Sequence, residues 1–314
     1  MKGRVALFTS NRAEHGLLEP VMTELEKMMP DIHPFWAQDK QHPDDLVSGM
    51  ESAAIAHHMA KADFAIVPCD RQEMVGAALY LFYSNIPFAQ LHAGDTGSGI
   101  HDEVGRWIIS RCASIHFCNS PESAQNLIKS GEETWRIHLV GSTAFDGIEP
   151  DDRIMTRIGG APSPAYTDGF LLVLVHPDTY SREATQKAIT DAVAAMIKYP
   201  IPAVVIGGNR DKHWEVVDDY WRQFTWPQPW RYFSNGLERR EFLSLMKHCT
   251  KFITNSSSAL YELPAFDVTK WVNIGLRNAN RKPLQKIEKG GSQRIAQVIR
   301  NLEIDDKLLR KKFV

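Results

Sequence analysis

Short apolar runs of strand length alternate with amphipathic stretches of helical length along most of this 314-residue chain. The runs fall at residues 5–9, 64–68, 87–91, 115–118, 137–140, 170–175, 203–206, 231–233, 252–254 and 271–274. Helical patterns lie between them at 17–28, 71–83, 103–112, 183–197, 213–224 and 238–247. A near-continuous Val, Ile, Leu and Phe run is apolar on both faces, as a strand of a helix-covered parallel sheet must be. The alternation predicts an α/β fold with right-handed crossovers. Residues 151–167, rich in Pro, Gly and polar side chains, interrupt the rhythm. They read as a linker between an N-terminal domain, 1–150, and a second α/β domain, 168–288, with a helical tail over 289–314. The tail's cationic cluster, Lys307, Arg310, Lys311 and Lys312, reads as a solvated last turn complementing a helix dipole.

Several function classes are excluded early. The 36 Lys and Arg against 38 Asp and Glu give a net charge of −2, without the basic excess that nucleic-acid binding needs. The longest clean apolar run, residues 170–175, is far short of the ~20 residues that cross a bilayer. The N-terminal apolar stretch meets Asn11 and Arg12 too soon for a secretory signal. The four cysteines form no CxxC pair, and the expectation is free thiols in the cytoplasm. His57 and His58 are neighbours in a helical stretch and should point to different faces, so no metal site is expected.

In doubly wound sheets, ligands bind outside the carboxyl ends of the strands, so residues just after each run are the candidates. After the first run comes TSNRAEHG, whose Arg12 sits where bidentate pairing and helix-start amides suit a phosphate. No GxGxxG and no Walker lysine is present, and no dinucleotide or other cofactor is expected. Asp70 follows the run at 64–68 and reads equally as an N-cap. The densest cluster, HAGDTGSGIHDEVGR, follows residue 91 and carries Asp95, Asp102, Glu103 and Arg106. Asp102 and Arg106 are four apart and can pair along a helix. Several carboxylates beside one Arg are a means of separating pKa values for acid–base work. In the second domain His176 ends a strand and suits phosphate contact or proton transfer. The arrangement strand, Asn255-Ser256-Ser257-Ser258, helix, Glu262 reads as an anion site followed by an acid for a ribose diol.

In order, these residues resemble the UDP-N-acetylglucosamine 2-epimerases, above all the hydrolysing branch that starts sialic-acid-type sugar synthesis. The matching stretches are FTSNRAEHGLLEP, CDRQEMVGAALYLFYSNIPFAQLHAGDTGSGIHDEVGR, VGSTAFD, LVHPDT, GGNRD and TNSSSALYELPAFDVTKWVNIGLRNANR, spanning residues 8–281. The resemblance implies two Rossmann-like domains facing a central cleft, the GT-B architecture, in a homodimer acting on a UDP-sugar. It also implies a reaction without a redox cofactor. UDP is eliminated across C1–C2 to give a 2-acetamidoglucal, and water adds to yield the 2-epimer. By position, Arg12, Asn255, Ser256, Ser257 and Arg277 would bind UDP, and Glu262 the ribose. Asp70, Asp95 and Asp102 would share the acid–base roles, the base among them left open, with Arg106 orienting Asp102. His176 would contact the diphosphate or assist proton transfer.

Departures from the family pattern qualify this reading. Ala93 and Asp95 stand in a His-Gly-Gly-Glu run, Cys69 replaces a Gly, and Leu276 replaces the Asp of an Ile-Gly-Asp-Arg run. The chain is also shortened between Met28 and Met50, where a loop bearing further site residues is expected. Two other functions share these features: a GT-B glycosyltransferase using a UDP-sugar donor, and a nucleotide-sugar-binding protein that has lost catalysis.

Overall fold

A computed structural model describes residues 1–37, 45–68, 70–97, 101–151, 166, 168–278, 281–285 and 287–314. The expected linker over 151–167, Cys69 and the glycine-rich stretch at 98–100 therefore lie wholly or mostly outside the described residues. The chain divides into two compact units, one of Met1–Thr96, Asp102–Gly147 and Glu288–Val314, the other of Gly97–His101 and Ile148–Ile287.

The first unit is built in the order β1 (Gly3–Phe8), α1 (Arg12–Glu26), β2 (Ile32–Ala37), α2 (Leu46–His58), β3 (Phe64–Pro68), α3 (Gln72–Tyr83), β4 (Phe88–Leu91), α4 (His101–Cys112), β5 (Ile115–Cys118), α5 (Pro121–Lys129) and β6 (Ile137–Leu139). Its six strands run parallel in the order β2-β1-β3-β4-β5-β6. Strands β3, β4 and β5 are buried at every residue, β3 with an unbroken apolar sequence and β4 and β5 with one polar residue each, Gln90 and His116. The helices begin where the sequence supplies caps: Asn11 accepts from the Glu14 amide at 3.0 Å, Asp45 and Ser48 form a capping box, and Ser120 caps α5 with Pro121 in its first turn.

The second unit follows as β7 (Leu171–Leu174), α6 (Arg182–Ile197), β8 (Ala203–Ile206), α7 (Trp214–Gln223), β9 (Trp230–Phe233), α8 (Arg239–His248), β10 (Lys251–Thr254), α9 (Ser258–Tyr261) and β11 (Trp271–Asn273). Its parallel strand order is β11-β10-β7-β8-β9. The tail helices, α10 (Gly291–Arg300) and α11 (Asp306–Leu309), belong to the first unit, where Ile295, Ala296, Ile299 and Leu308 enter the core with Leu18, Val21 and Leu25 of α1.

Three expectations are corrected here. The stretch after Met28 contains a strand, β2, which hydrophobic periodicity does not mark because it is half-buried and contains Pro34. Proline removes a ladder donor and is tolerated at a sheet edge, which is where β2 lies. The rings of His57 and His58 do not diverge but stack at 4.4 Å, and both approach the Tyr80 hydroxyl.

The third correction concerns Lys311, which is not a solvated tail charge. Its ammonium lies 2.7 Å from the fully buried Glu132 carboxylate and donates to the carbonyls of Ser110 and Ala113 at the end of α4. Burial pulls its pKa down to about 8, against the raising effect of Glu132. Removing one partner of a buried pair costs roughly 3–5 kcal/mol, whereas exposed substitutions stay within about 0.5 kcal/mol. Lys311→Met should therefore lower the urea midpoint clearly, while Lys312→Ala next to it should leave it in place. Equal midpoints for the two would show that Lys311 is solvated after all.

Candidate active site

Strand order decides where each unit can hold a ligand. The first sheet grows from β1 outward to β2 and then from β3 the other way, so its direction reverses between β1 and β3. The second reverses between β7 and β10. A reversal leaves a crevice at the carboxyl ends of the two strands, because the following helices leave on opposite faces.

In the first unit the turns after β1 and β3 place Ser10, Asn11, Glu14, Asp70 and Arg71 at that reversal, and β4 adds Asp95. Helix α4 delivers Arg106, only 6% exposed, whose Nη2 pairs with Asp70 Oδ2. Its Nη1 donates to the Asp95 carbonyl at 3.0 Å and lies 3.6 Å from Asp95 Oδ2. Arg106 is thus tied to Asp70 and Asp95, long-range partners that local spacing does not reveal, and Asp102, the partner expected from spacing, is half-buried one turn earlier on α4. Gly105 makes the close approach possible, since a Cβ there would fall 2.4 Å from the Asp70 carbonyl. Burial pushes the Asp95 carboxyl up to about 6, the Arg106 guanidinium and the Thr96 amide pulling it back and Asp70 and Glu103 adding to the rise.

A second buried carboxyl was not singled out from the sequence. Glu14 is 3% exposed, accepts from the Ser10 amide and hydroxyl at 2.8 Å each, and is pushed up to about 7. Burial is the main cause; Arg71 opposes it, and Glu73 reinforces it. Glu73 is itself 3% exposed and accepts from Arg71 Nε at 2.6 Å. The available signal was an acid three residues past an N-cap Asn, which in isolation reads as a capping box. Arg12 opens α1, and its side chain lies outside the described part of the structure.

In the second unit β7 leads to His176 and β10 to Asn255, side by side across the reversal. The Asn255 amide bonds both backbone groups of His176, accepting from its N–H and donating to its carbonyl at 2.8 Å each. Asn255 thus staples two strand ends together. His176 Nδ1 accepts from the Asn209 amide at 3.0 Å, an approach that Gly208 permits because a Cβ there would meet the Val175 carbonyl at 2.4 Å. A ring whose Nδ1 accepts carries its proton on Nε2, leaving that atom a donor. Ser256 is buried and accepts from the Ser258 amide and hydroxyl, whereas Ser257 is exposed. The helix they open has a single turn, so any anion held here depends on local amides and hydroxyls more than on a helix dipole. Glu262 is buried against Arg239 of α8, a partner the sequence did not reveal. Arg277 lies 3.8 Å from Asp211 and reaches the Pro177 carbonyl at 3.4 Å.

The Asp95 shift carries a stability consequence. A carboxyl whose folded pKa is raised from 3.8 to about 6 binds more protons folded than unfolded between those values. Stability therefore falls as pH rises through that window, and the full cost, at most about 3 kcal/mol, is present above pH ~6. Asp95→Asn should raise the Tm at pH 8, and the gain should vanish near pH 4. A variant less stable than the parent at pH 8 would mean that the Arg106 pairing outweighs burial.

Residues 9–309 match the UDP-N-acetylglucosamine 2-epimerase family. The polysialic acid biosynthesis protein P7 of Escherichia coli is 25% identical over 70% of this chain and 56% of its own length. The hydrolysing UDP-N,N'-diacetylbacillosamine 2-epimerase of Legionella pneumophila is 26% identical over 76% of this chain and 66% of its own. The matched region thus spans somewhat under two thirds of these curated relatives. In fold, the chain is similar to the Methanocaldococcus jannaschii UDP-GlcNAc 2-epimerase crystallised with UDP-GlcNAc and UDP, with a TM-score of 0.71 at 16% identity over 95% of this chain and 99% of that one. With two parallel α/β units and a family match over nearly its whole length, the chain belongs to the UDP-N-acetylglucosamine 2-epimerase family.

Proposed function

We propose that the protein is a hydrolysing 2-epimerase of UDP-2-acetamido sugars, releasing UDP and the free 2-epimer. The observation that carries the reading is the Asp70–Arg106–Asp95 cluster at the carboxyl ends of β3 and β4, beside the β1/β3 reversal, with one carboxyl held near 6. A carboxyl poised there can both take and return a proton near neutral pH. The base removes the C2 proton, the C1–O electron pair leaves on the diphosphate, and a C1–C2 double bond forms. Water then adds its hydroxyl to C1, and a proton returns to C2 on the other face. Asp70, Asp95 and Asp102 are the carboxylates proposed for these transfers, and Arg106 holds the first two in register.

The second unit supplies the nucleotide end. The Nε2 proton of His176 and the hydroxyls of Ser256 and Ser257 are suited to the diphosphate, together with Arg277; Arg12, at the start of α1 in the first unit, is proposed for phosphate as well. Asn255 acts through the strand ends it staples. Glu262, steadied by Arg239, takes the ribose diol. The hydrolysing branch is favoured by the similarity to the hydrolysing 2-epimerase of Legionella pneumophila. A homodimer in the cytoplasm completes the reading, and among the described residues no helix is long and apolar enough to cross a membrane.

The test is chromatography of UDP-N-acetylglucosamine and UDP-N,N'-diacetylbacillosamine after incubation with the protein. Free UDP with the 2-epimer of one of them is expected. Asp95→Asn and Asp102→Asn should each lower turnover by about 100-fold or more while UDP affinity stays within a few-fold. Unchanged substrates, with sugar moved only when an acceptor is added, would replace this reading by a glycosyltransferase. A second titration tests the ribose contact. Glu262→Gln should weaken UDP by roughly tenfold yet barely affect 2'-deoxy-UDP. Equal losses for both would remove Glu262 from the ribose.

A further inference from the structure

The core of the first unit contains a polar pair that the proposed chemistry does not use. Gln90 and Ser110 are both 0% exposed, and they lie among apolar residues: Gln90 shares the β4 face of Phe88, and Ser110 follows Ile109 of α4. Buried amides and hydroxyls cost stability unless satisfied, so such a pair calls for a reason. Here the contacts centre on one backbone atom, the Arg106 carbonyl. Gln90 Nε2 donates to the Arg106 carbonyl at 3.0 Å. The Ser110 hydroxyl lies 2.6 Å from Gln90 Oε1 and 3.0 Å from the same Arg106 carbonyl. Its single proton goes to Gln90 Oε1 in the arrangement that satisfies both groups. Flipping the Gln90 amide would set oxygen against the Arg106 carbonyl, so only one orientation fits. Beyond Ser110, the Lys311 ammonium donates to the Ser110 carbonyl at 2.5 Å and anchors the outer end.

We propose that Gln90 and Ser110 are positioning residues, a buried clamp that fixes the slide and rotation of α4 on β4 and so sets Arg106 against Asp70 and Asp95. An apolar α4–β4 contact would hold the helix nearly as well, but hydrophobic packing is non-directional and tolerates small slides. A directional bond from Gln90 to the carbonyl of Arg106 itself, with the Gln90 amide held in turn by the Ser110 hydroxyl, does not. β4 leads directly into the turn bearing Asp95, and α4 carries Arg106, so the clamp joins the two elements whose separation sets the Arg106–Asp95 distance. The inference rests on the roles proposed above for Arg106 and Asp95, and a slide of a fraction of an ångström there is enough to cost rate.

The test compares the full-length parent with Gln90→Met, Ser110→Ala and the double variant, which replace the clamp by apolar groups of similar shape. In the double variant UDP affinity and Tm should stay near the parent's, because both partners of the pair are removed together. Turnover should fall about tenfold or more, in kcat and not in KM. A second readout needs no turnover: titration of 13C-labelled aspartate, following Asp95. Its neighbours are Arg106, Asp70, Glu103 and the Thr96 amide, of which Arg106 is the one the clamp holds. Loosening Arg106 removes a lowering influence, so the Asp95 midpoint should rise by about one unit. An Asp95 midpoint and kcat unchanged in the double variant would overturn the clamp. If the parent itself turns over no UDP-sugar, the proposed function fails while the Asp95 titration still decides the clamp. Should the double variant fold poorly, Ser110→Ala alone, which removes one hydroxyl, gives the same two readouts.

Discussion

A parallel sheet cannot join neighbouring strands by a tight turn, so each strand must be followed by a crossover, and the sheet must grow in one direction or reverse. Both sheets of this chain reverse once, between β1 and β3 and between β7 and β10. Nearly everything functional follows from those two places. Residues far apart in sequence, Glu14 and Arg71 in one unit, His176 and Asn255 in the other, become neighbours because the strands before them are hydrogen-bonded. The apolar runs that make the strands also leave their carboxyl ends as the natural place for polar side chains to gather.

Gathering charges in a buried crevice is expensive, and the first unit shows how the cost is distributed. Arg106 offsets Asp70 and Asp95 at once, Arg71 stands beside Glu73 and Glu14, and the two carboxyls that remain under-compensated, Asp95 and Glu14, are pushed towards neutrality. The unit accepts this destabilisation at the crevice and compensates elsewhere. The Lys311–Glu132–Arg111 group, with His116 held neutral by burial at about 4, locks the tail onto the end of α4. The same helix carries Arg106 at its middle, so tail and site are joined through one element.

Much of this was legible in the sequence, for identifiable reasons. The runs at 64–68, 115–118 and 203–206 coincide with strands because both faces of those strands are buried, and periodicity reads burial well. Asp70, Asp95 and Arg106 could be singled out because glycines and carboxylates clustered just after strand signals. What stayed hidden depends on strand order or on distant partners. β2 was invisible because an edge strand needs no apolar run. The pairing of Arg106 with Asp70 across 36 positions could not compete, on local spacing, with Asp102 four residues away. Arg239 beside Glu262 and Lys311 beside Glu132 are long-range pairs of the same kind, and a lysine in a polar tail carries no local mark of burial.

The central claim is that these carboxylates move the C2 proton of a UDP-2-acetamido sugar. The most direct measurement is a proton NMR time course with UDP-N-acetylglucosamine in heavy water. The account predicts release of UDP together with N-acetylmannosamine carrying deuterium at C2, because the abstracted proton exchanges before water adds. Free sugar that keeps its original C2 proton, or UDP-N-acetylglucosamine that binds and stays unchanged, would contradict it.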